Sequence, residues 1–173
     1  MDETLKHTQG AVGQQPDLQL RLEEFFDGTL HAEGEFRDPL GRLRRTFCAQ
    51  VTGTRSGDTI RVRETFRYND GDVDEREWLI EALGNGKYRG SASDVIGYAL
   101  GQVEGRRMRW TYPLDLPLGG RAWRLRFEDE FELSHAGELI NTAKVKKFGL
   151  PVGTVRQIIA RRGNALSSET ARA

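Results

Sequence analysis

Between residues 26 and 161 apolar and polar residues alternate with a period of two, in short stretches separated by turn residues. That period sends successive side chains to opposite faces of a strand, so the chain is constrained to antiparallel sheet with one apolar face. In three consecutive stretches an ionisable residue falls on the apolar face. Glu64 stands in the row Ile60, Val62, Glu64, Phe66, Tyr68; Arg76 in the row Arg76, Trp78, Ile80, Ala82; and Asp94 in the row Tyr88, Gly90, Ala92, Asp94. A charge on a core face has to be paired or to face a wet cavity, because burying it alone costs several kcal/mol. The interior of this fold therefore carries chemistry.

Turn signals recur at even intervals: Ser56-Gly57, Asn69-Asp70-Gly71, Gly84-Asn85-Gly86, Glu104-Gly105 and the segment 134–137. Later rows keep the scheme. Met108, Trp110, Tyr112 and Leu114 share a face, as do Trp123, Leu125, Phe127, Asp129 and Phe131, then Leu139, Asn141, Ala143 and Val145. Residues 152–160 read as a last strand, with a helix as the alternative. About eight to ten antiparallel strands with one charged face close most economically on themselves, which removes their edges. The expected fold is all-β, an up-and-down antiparallel barrel, with a two-sheet sandwich as runner-up. Ahead of it Asp17 can cap a short N-terminal helix whose Leu18, Leu22, Phe25 and Phe26 would lie over one mouth. Residues 16–162 form the single expected domain, between a disordered tail at 1–15 and a flexible one at 163–173.

Composition removes several classes of function. Twenty-six basic and twenty-six acidic residues balance to zero net charge, so no basic field draws the protein to nucleic acid. Cys48 is the sole cysteine, which excludes an internal disulfide and a cysteine-based zinc site. His7, His31 and His135 are scattered and make no metal set, and no phosphate-binding or nucleophile-elbow motif follows a strand. No metal or cofactor is expected. No stretch approaches the ~18 apolar residues of a transmembrane segment, and residues 1–15 lack the apolar centre of a secretory signal, so the chain as it stands reads as cytoplasmic.

Turn chemistry sharpens the placement of the charges. A three-residue hairpin loop commonly carries its Gly third, in the left-handed conformation. Applied to Asn69-Asp70-Gly71, this pairs Tyr68 with Asp72 and sets Glu64 opposite Arg76 and Val62 opposite Trp78. Applied to Gly84-Asn85-Gly86, it pairs Leu83 with Lys87 and sets Arg76 opposite Asp94. A two-residue Asn85-Gly86 turn would shift that register by one and flip the face. The expected result is a row of Glu64, Arg76 and Asp94 across three strands. Asp129 and Asn141 also break apolar rows, while Trp110 and Tyr112 add an indole donor and a hydroxyl. Opposite these aromatics, Gly97, Ala99 and Gly101 offer small side chains, either as core packing or as a slot.

The string Glu64-x-Phe66-x-Tyr68-x-Asp70-Gly71, then Arg76-x-Trp78, then Gly90-x-Ala92-x-Asp94-Val95-x-Gly97-x-Ala99-x-Gly101, Trp110-x-Tyr112 and Lys146-Lys147-Phe148-Gly149 resembles a bacterial family. It is catalogued only as domain of unknown function three-eight-three-three. The resemblance spans about residues 26–159. It implies a lipocalin-like (calycin) barrel and no established activity. Many members look like lipoproteins with a lipid-modified N-terminal cysteine, which this chain lacks; a trimmed start would allow a periplasmic or membrane-anchored location.

The reading with most support is a small-molecule binding protein. Its aromatic rows would hold an apolar or amphipathic ligand such as a fatty acyl chain, and Glu64, Arg76, Trp78, Asp94, Trp110, Tyr112, Asp129 and Asn141 would form the binding set. The alternatives are a cofactor-free lyase or isomerase with Glu64 or Asp94 as general base and Arg76 with Tyr112 stabilising an anion, and a structural barrel with a filled core. Oligomeric state is not legible in the sequence.

Overall fold

The computed structural model of the protein describes residues 19–118 and 121–161. One helical turn, α1 (Leu22–Phe25), precedes ten strands: β1 (Gly28–Arg37), β2 (Leu43–Ser56), β3 (Thr59–Tyr68), β4 (Val73–Gly84), β5 (Lys87–Ser91), β6 (Ala99–Glu104), β7 (Arg107–Leu118), β8 (Arg121–Leu133), β9 (Leu139–Lys147) and β10 (Leu150–Arg161). Each strand pairs antiparallel with the next, and β1 closes on β10, giving a closed ten-stranded barrel. The expected up-and-down barrel forms rather than the sandwich, and residues 152–160 lie in a strand. Closure suits this chain because every strand finds two neighbours and its single apolar face is enclosed.

Both hairpins that set the charged row have the expected register, one of them by an unexpected route. In the β3–β4 loop, Tyr68 N–H donates to Asp72 O at 3.0 Å and Gly71 N–H to Tyr68 O at 3.1 Å, with Gly71 at φ 93°. Glu64 is opposite Arg76 and Val62 opposite Trp78. The β4–β5 turn instead has two residues, Asn85 and Gly86, both at positive φ, closing on a Gly84–Lys87 pair. A bulge between Ala82 and Gly84 inserts Leu83 and undoes the shift, so that Ala82 pairs with Tyr88 and Leu79 with Ser91. Trp78 and Tyr88 are accordingly both buried.

The helix corrects the sequence reading. It begins at Leu22 behind Arg21 with no side-chain cap, because Leu20 N–H is already bonded to Gly105 O in the β6–β7 turn and holds that stretch extended. Asp17, Leu18 and the two tails lie outside the described residues. The single turn is held from both sides. The Arg161 guanidinium donates to the carbonyls of Asp27, Phe25 and Glu24, and the Tyr88 hydroxyl donates to the buried Glu23 carboxylate at 2.7 Å. Leu20, Leu22 and Phe26 are thereby pressed into the core cluster with Leu30, Ile60, Ile80, Met108, Leu139 and Ile159.

Burial falls off along the barrel axis. Near α1 the inward residues Leu30, Ala32, Ala49, Val51, Ile60 and Val62 are fully buried, whereas Gly34, Phe36, Phe47, Glu64, Phe66 and Tyr68, further along the same inward rows, are only half-buried. Inward side chains that stay accessible line an opening, so the barrel is plugged at the α1 end and open at the other.

Candidate functional site

Glu64 on β3 and Arg76 on β4 face each other across the sheet at the level where burial begins to fall off. The Arg76 guanidinium reaches past its strand partner and donates through Nη2 to Asp94 Oδ2 at 2.6 Å. Asp94 itself is not on a strand, contrary to the expected row. Strand β5 stops at Ser91, a turn closes with Val95 N–H on Ala92 O at 3.1 Å, and the chain then runs beside β7, where Val95 bridges Leu114 and Ile96 N–H bonds to Pro113 O. Asp94 is therefore supplied by a turn, which brings it to Arg76 all the same. The Arg76 and Asp94 side chains remain 23% and 25% exposed, so water reaches this pair from the open end.

Below it lies a drier group. Asp129 on β8 pairs with Trp110 on β7 and Ala143 on β9; Tyr112 and Asn141 hydrogen-bond to its carboxyl. Asp129 is 4% exposed, and Trp110, Tyr112 and Asn141 are buried with it. Arg76 acts electrostatically on Glu64, Tyr112 and Asp129, which joins both groups into one site. Trp78 packs edge-on against Tyr112 at 5.2 Å and Trp110 at 6.0 Å, and Tyr112 stacks on Phe127 at 5.3 Å. All eight residues singled out in the sequence thus line one interior, Asp94 by way of a turn.

Burial dominates the acid–base character. It pushes the Glu64 carboxyl up against the opposing pull of Arg76 and the Trp78 indole. It drives Asp129 up to about 7, although Tyr112, Arg76 and Asn141 all favour its anion. Tyr112 is raised well above 10, first by burial and then by Asp129. Burial works against the Arg76 charge too, but Tyr112, Asp94 and Glu64 outweigh it and the guanidinium is held more firmly charged than usual. The site thus holds a guanidinium kept charged and bonded to Asp94, beside two carboxyls, Glu64 and Asp129, whose ionised forms burial disfavours.

Among the described residues no protein donor reaches Asp94 Oδ1, Asp129 Oδ1 or Asn141 Oδ1, all three buried. Buried acceptors normally have partners, and leaving one unmade costs about 1–3 kcal/mol. The interior thus presents acceptor oxygens beneath an aromatic funnel.

The opening is walled by residues the sequence reading left out of the site. Phe47 packs edge-on against Phe66 at 5.5 Å, and Phe66 stacks on Tyr68 at 6.2 Å under the Arg45 guanidinium. Their signal was present, since Phe66 and Tyr68 continue the row of Glu64. Of the two readings of the small residues, core packing holds at Gly101, where an added Cβ would collide with Met108 and the Trp110 ring, as one at Gly90 would with Trp110. Gly97 is not part of that packing; it sits at φ 72° in the turn, with open space around its Cα. Trp123, expected to be inward, stands at the rim with Lys147 Nζ 3.0 Å from its ring centre.

Fold and interior together define a lipocalin-like β-barrel with a polar site set into an aromatic lumen. The chain belongs to the family described as protein of unknown function (DUF3833), whose pattern matches residues 5–161. Among solved structures it is similar to the S-type phycobiliprotein lyase CPES from Guillardia theta, at 10% identity and a TM-score of 0.60 over 81% of this chain and 90% of that one. It is also similar to a de novo designed fluorescence-activating β-barrel, at 16% identity and a TM-score of 0.41 over 81% and 96% of the two chains. At 10% identity the likeness to the lyase is one of fold. No curated protein matches the sequence.

Proposed function

We propose that the protein binds a mostly apolar small molecule whose polar end is neutral or singly cationic and donates hydrogen bonds. The observation that carries this reading is the set of unpartnered buried acceptors, Asp94 Oδ1 toward the open end and Asp129 Oδ1 and Asn141 Oδ1 below it. An apolar body such as an acyl chain fits between Trp78, Tyr112, Phe127 and the aromatics of the mouth. A hydroxyl or ammonium group meets the acceptors below. The resemblance to a phycobiliprotein lyase supports the reading only in that a protein of that name shares a barrel of this fold.

Charge sets the class. Glu64, Asp94 and Asp129 against Arg76 leave the site neutral to anionic, depending on how many acids are ionised, so a polyanion is repelled. The test is calorimetric titration with dodecanol, dodecylamine, dodecanoate and a nucleoside triphosphate. The alcohol and the amine are expected to bind at neutral pH. Dodecanoate should bind more tightly as pH falls below about 7 and Asp129 takes up its proton. Absence of binding by all three aliphatic probes, or tight nucleotide binding, overturns the reading.

One observation favours a catalytic variant of it: Asp129, poised near 7, is in the range where a carboxyl can give and take a proton at neutral pH. Asp94 is tied to Arg76 at 2.6 Å and unsuited to act as a base. A lyase or isomerase built here would use Asp129 with Tyr112, and would lose turnover but not ligand binding in Asp129→Asn.

A further inference from the structure

Most of the large apolar side chains that are exposed among the described residues stand at the open end of the barrel. They concentrate on one side of the rim. Leu40 in the β1–β2 loop is 74% exposed and Leu43 follows it; in the β9–β10 hairpin Phe148 is 92% and Leu150 69% exposed; and Trp123 begins the neighbouring β8. The two loops are neighbours, because β10 pairs with β1 up to Arg37 opposite Thr154, and the hairpin projects beyond that last pair.

Phe148 is held there against its own preference. The hairpin is a two-residue turn with Phe148 at φ 51° and Gly149 at φ 80°, and Lys147 paired with Leu150. The first position of such a turn suits Asn, Asp or Gly; a bulky aromatic in left-handed backbone is an outlier of the kind that marks function. No packing explains it, since the ring points into solvent.

Beside these tips two cations have no acidic partner among the described residues, Arg42 in the β1–β2 loop and Lys147, whose Nζ lies over the Trp123 ring. The other cations nearby are already bonded to carboxylates, Arg37 to Glu35, Arg44 to Asp38, Arg45 to Asp70 and Asp72, and Lys146 to Glu128. The acidic β3–β4 loop lies next to β2, where its Asp70 and Asp72 hold Arg45. The wall below this side of the rim is charged: Arg124, Arg126 and Glu130 on the outer face of β8 are exposed.

We infer that this side of the rim is a docking surface for an anionic lipid bilayer, with Leu40, Phe148 and Leu150 entering the headgroup boundary and Arg42 and Lys147 meeting lipid phosphates. Apolar tips flanked by cations are the arrangement that binds an anionic interface, and a charged wall keeps the barrel from sinking further. Docked so, the mouth faces the membrane.

The test is co-flotation of the full chain with vesicles of phosphatidylcholine alone and of equal parts phosphatidylglycerol and phosphatidylcholine, with brominated acyl chains to quench Trp123. The expected result is binding to the anionic vesicles, weakened by added salt, with quenching that disappears in Trp123→Phe. In Leu40→Asp with Phe148→Asp binding should fall about tenfold or more, since two apolar anchors become like charges at the surface. Both sites are exposed, so unchanged circular dichroism and unchanged dodecanol binding are expected of this variant. Failure to bind anionic vesicles, or binding that the double variant leaves intact, overturns the inference. So does a dimer in analytical ultracentrifugation that the double variant dissolves while vesicle binding persists.

Discussion

At the scale of single residues, Arg76 and Asp129 differ in what their environments do to them. Arg76 and Asp94 are about three-quarters covered, between the surface pair that contributes at most ~1 kcal/mol and the buried pair whose disruption costs ~3–5 kcal/mol. Arg76→Ala should therefore destabilise by about 2 kcal/mol, read from the shift of a urea unfolding midpoint at constant slope. An unchanged midpoint would show the pair to be fully solvated. Asp129 is the pH-sensitive member. Its folded value near 7 stands above the ordinary 3.8, so between those values the unfolded chain is ionised while the folded one still holds its proton. Stability from this group is full below about 4 and is lost as pH rises through about 7, a few kcal/mol over the range. Asp129→Asn should flatten that part of the stability–pH curve, and an identical slope in the two proteins would contradict the raised value.

At the scale of elements, the plug and the aromatic wall each rest on one close fit. The Tyr88 hydroxyl bridges from β5 to the helix, donating to Glu23 and accepting from Leu22 N–H at 3.4 Å; burial first and then Glu23 raise it to about 12. Tyr88→Phe takes a partner from a buried carboxylate and should cost about 1–3 kcal/mol. Amide exchange should speed up at residues 20–26 before the sheet; uniform acceleration throughout the barrel would show that the plug has no separate stability. The wall depends on Gly101, whose missing Cβ makes room for Trp110 and Met108. Gly101→Ala forces those side chains to move, at about 1–3 kcal/mol. It should also alter Trp110 fluorescence, while Gly97→Ala, which meets nothing but is strained at φ 72°, should leave the emission unchanged. The β4–β5 hairpin shows how an element can reach the expected register by a different turn. Asn85-Gly86 closes in two residues, and the bulge at Leu83 restores the pairing that a three-residue loop would have produced. The inward alternation of Trp78 and Ile80 with Tyr88 is the stronger constraint, because a one-residue slip of β5 on β4 would send Tyr88 to water while β4 stayed fixed on β3.

At the scale of the whole molecule, the chain by itself determined the closed antiparallel barrel, the pairing of Glu64 with Arg76, and the presence of Trp78, Trp110, Tyr112, Asp129 and Asn141 in its interior. These follow from a period of two and from loops whose glycines specify their geometry, and both are local properties that a linear text carries. Tertiary structure decided the rest. That Asp94 reaches Arg76 from a turn depends on β6 being too short to shield β7, which leaves Val95 and Ile96 to pair there. That Trp110 packs against Gly90 and Gly101, that Trp123 stands at the rim, and that α1 shrinks to one turn depend on volumes and competing hydrogen bonds between segments far apart in the chain. Which end is plugged and which is open is decided in the same way. The inward rows alternate in the same way along their whole length, and the docking of Leu20, Leu22 and Phe26 decides which end is closed, because closing a mouth requires side chains that no strand of the barrel contains.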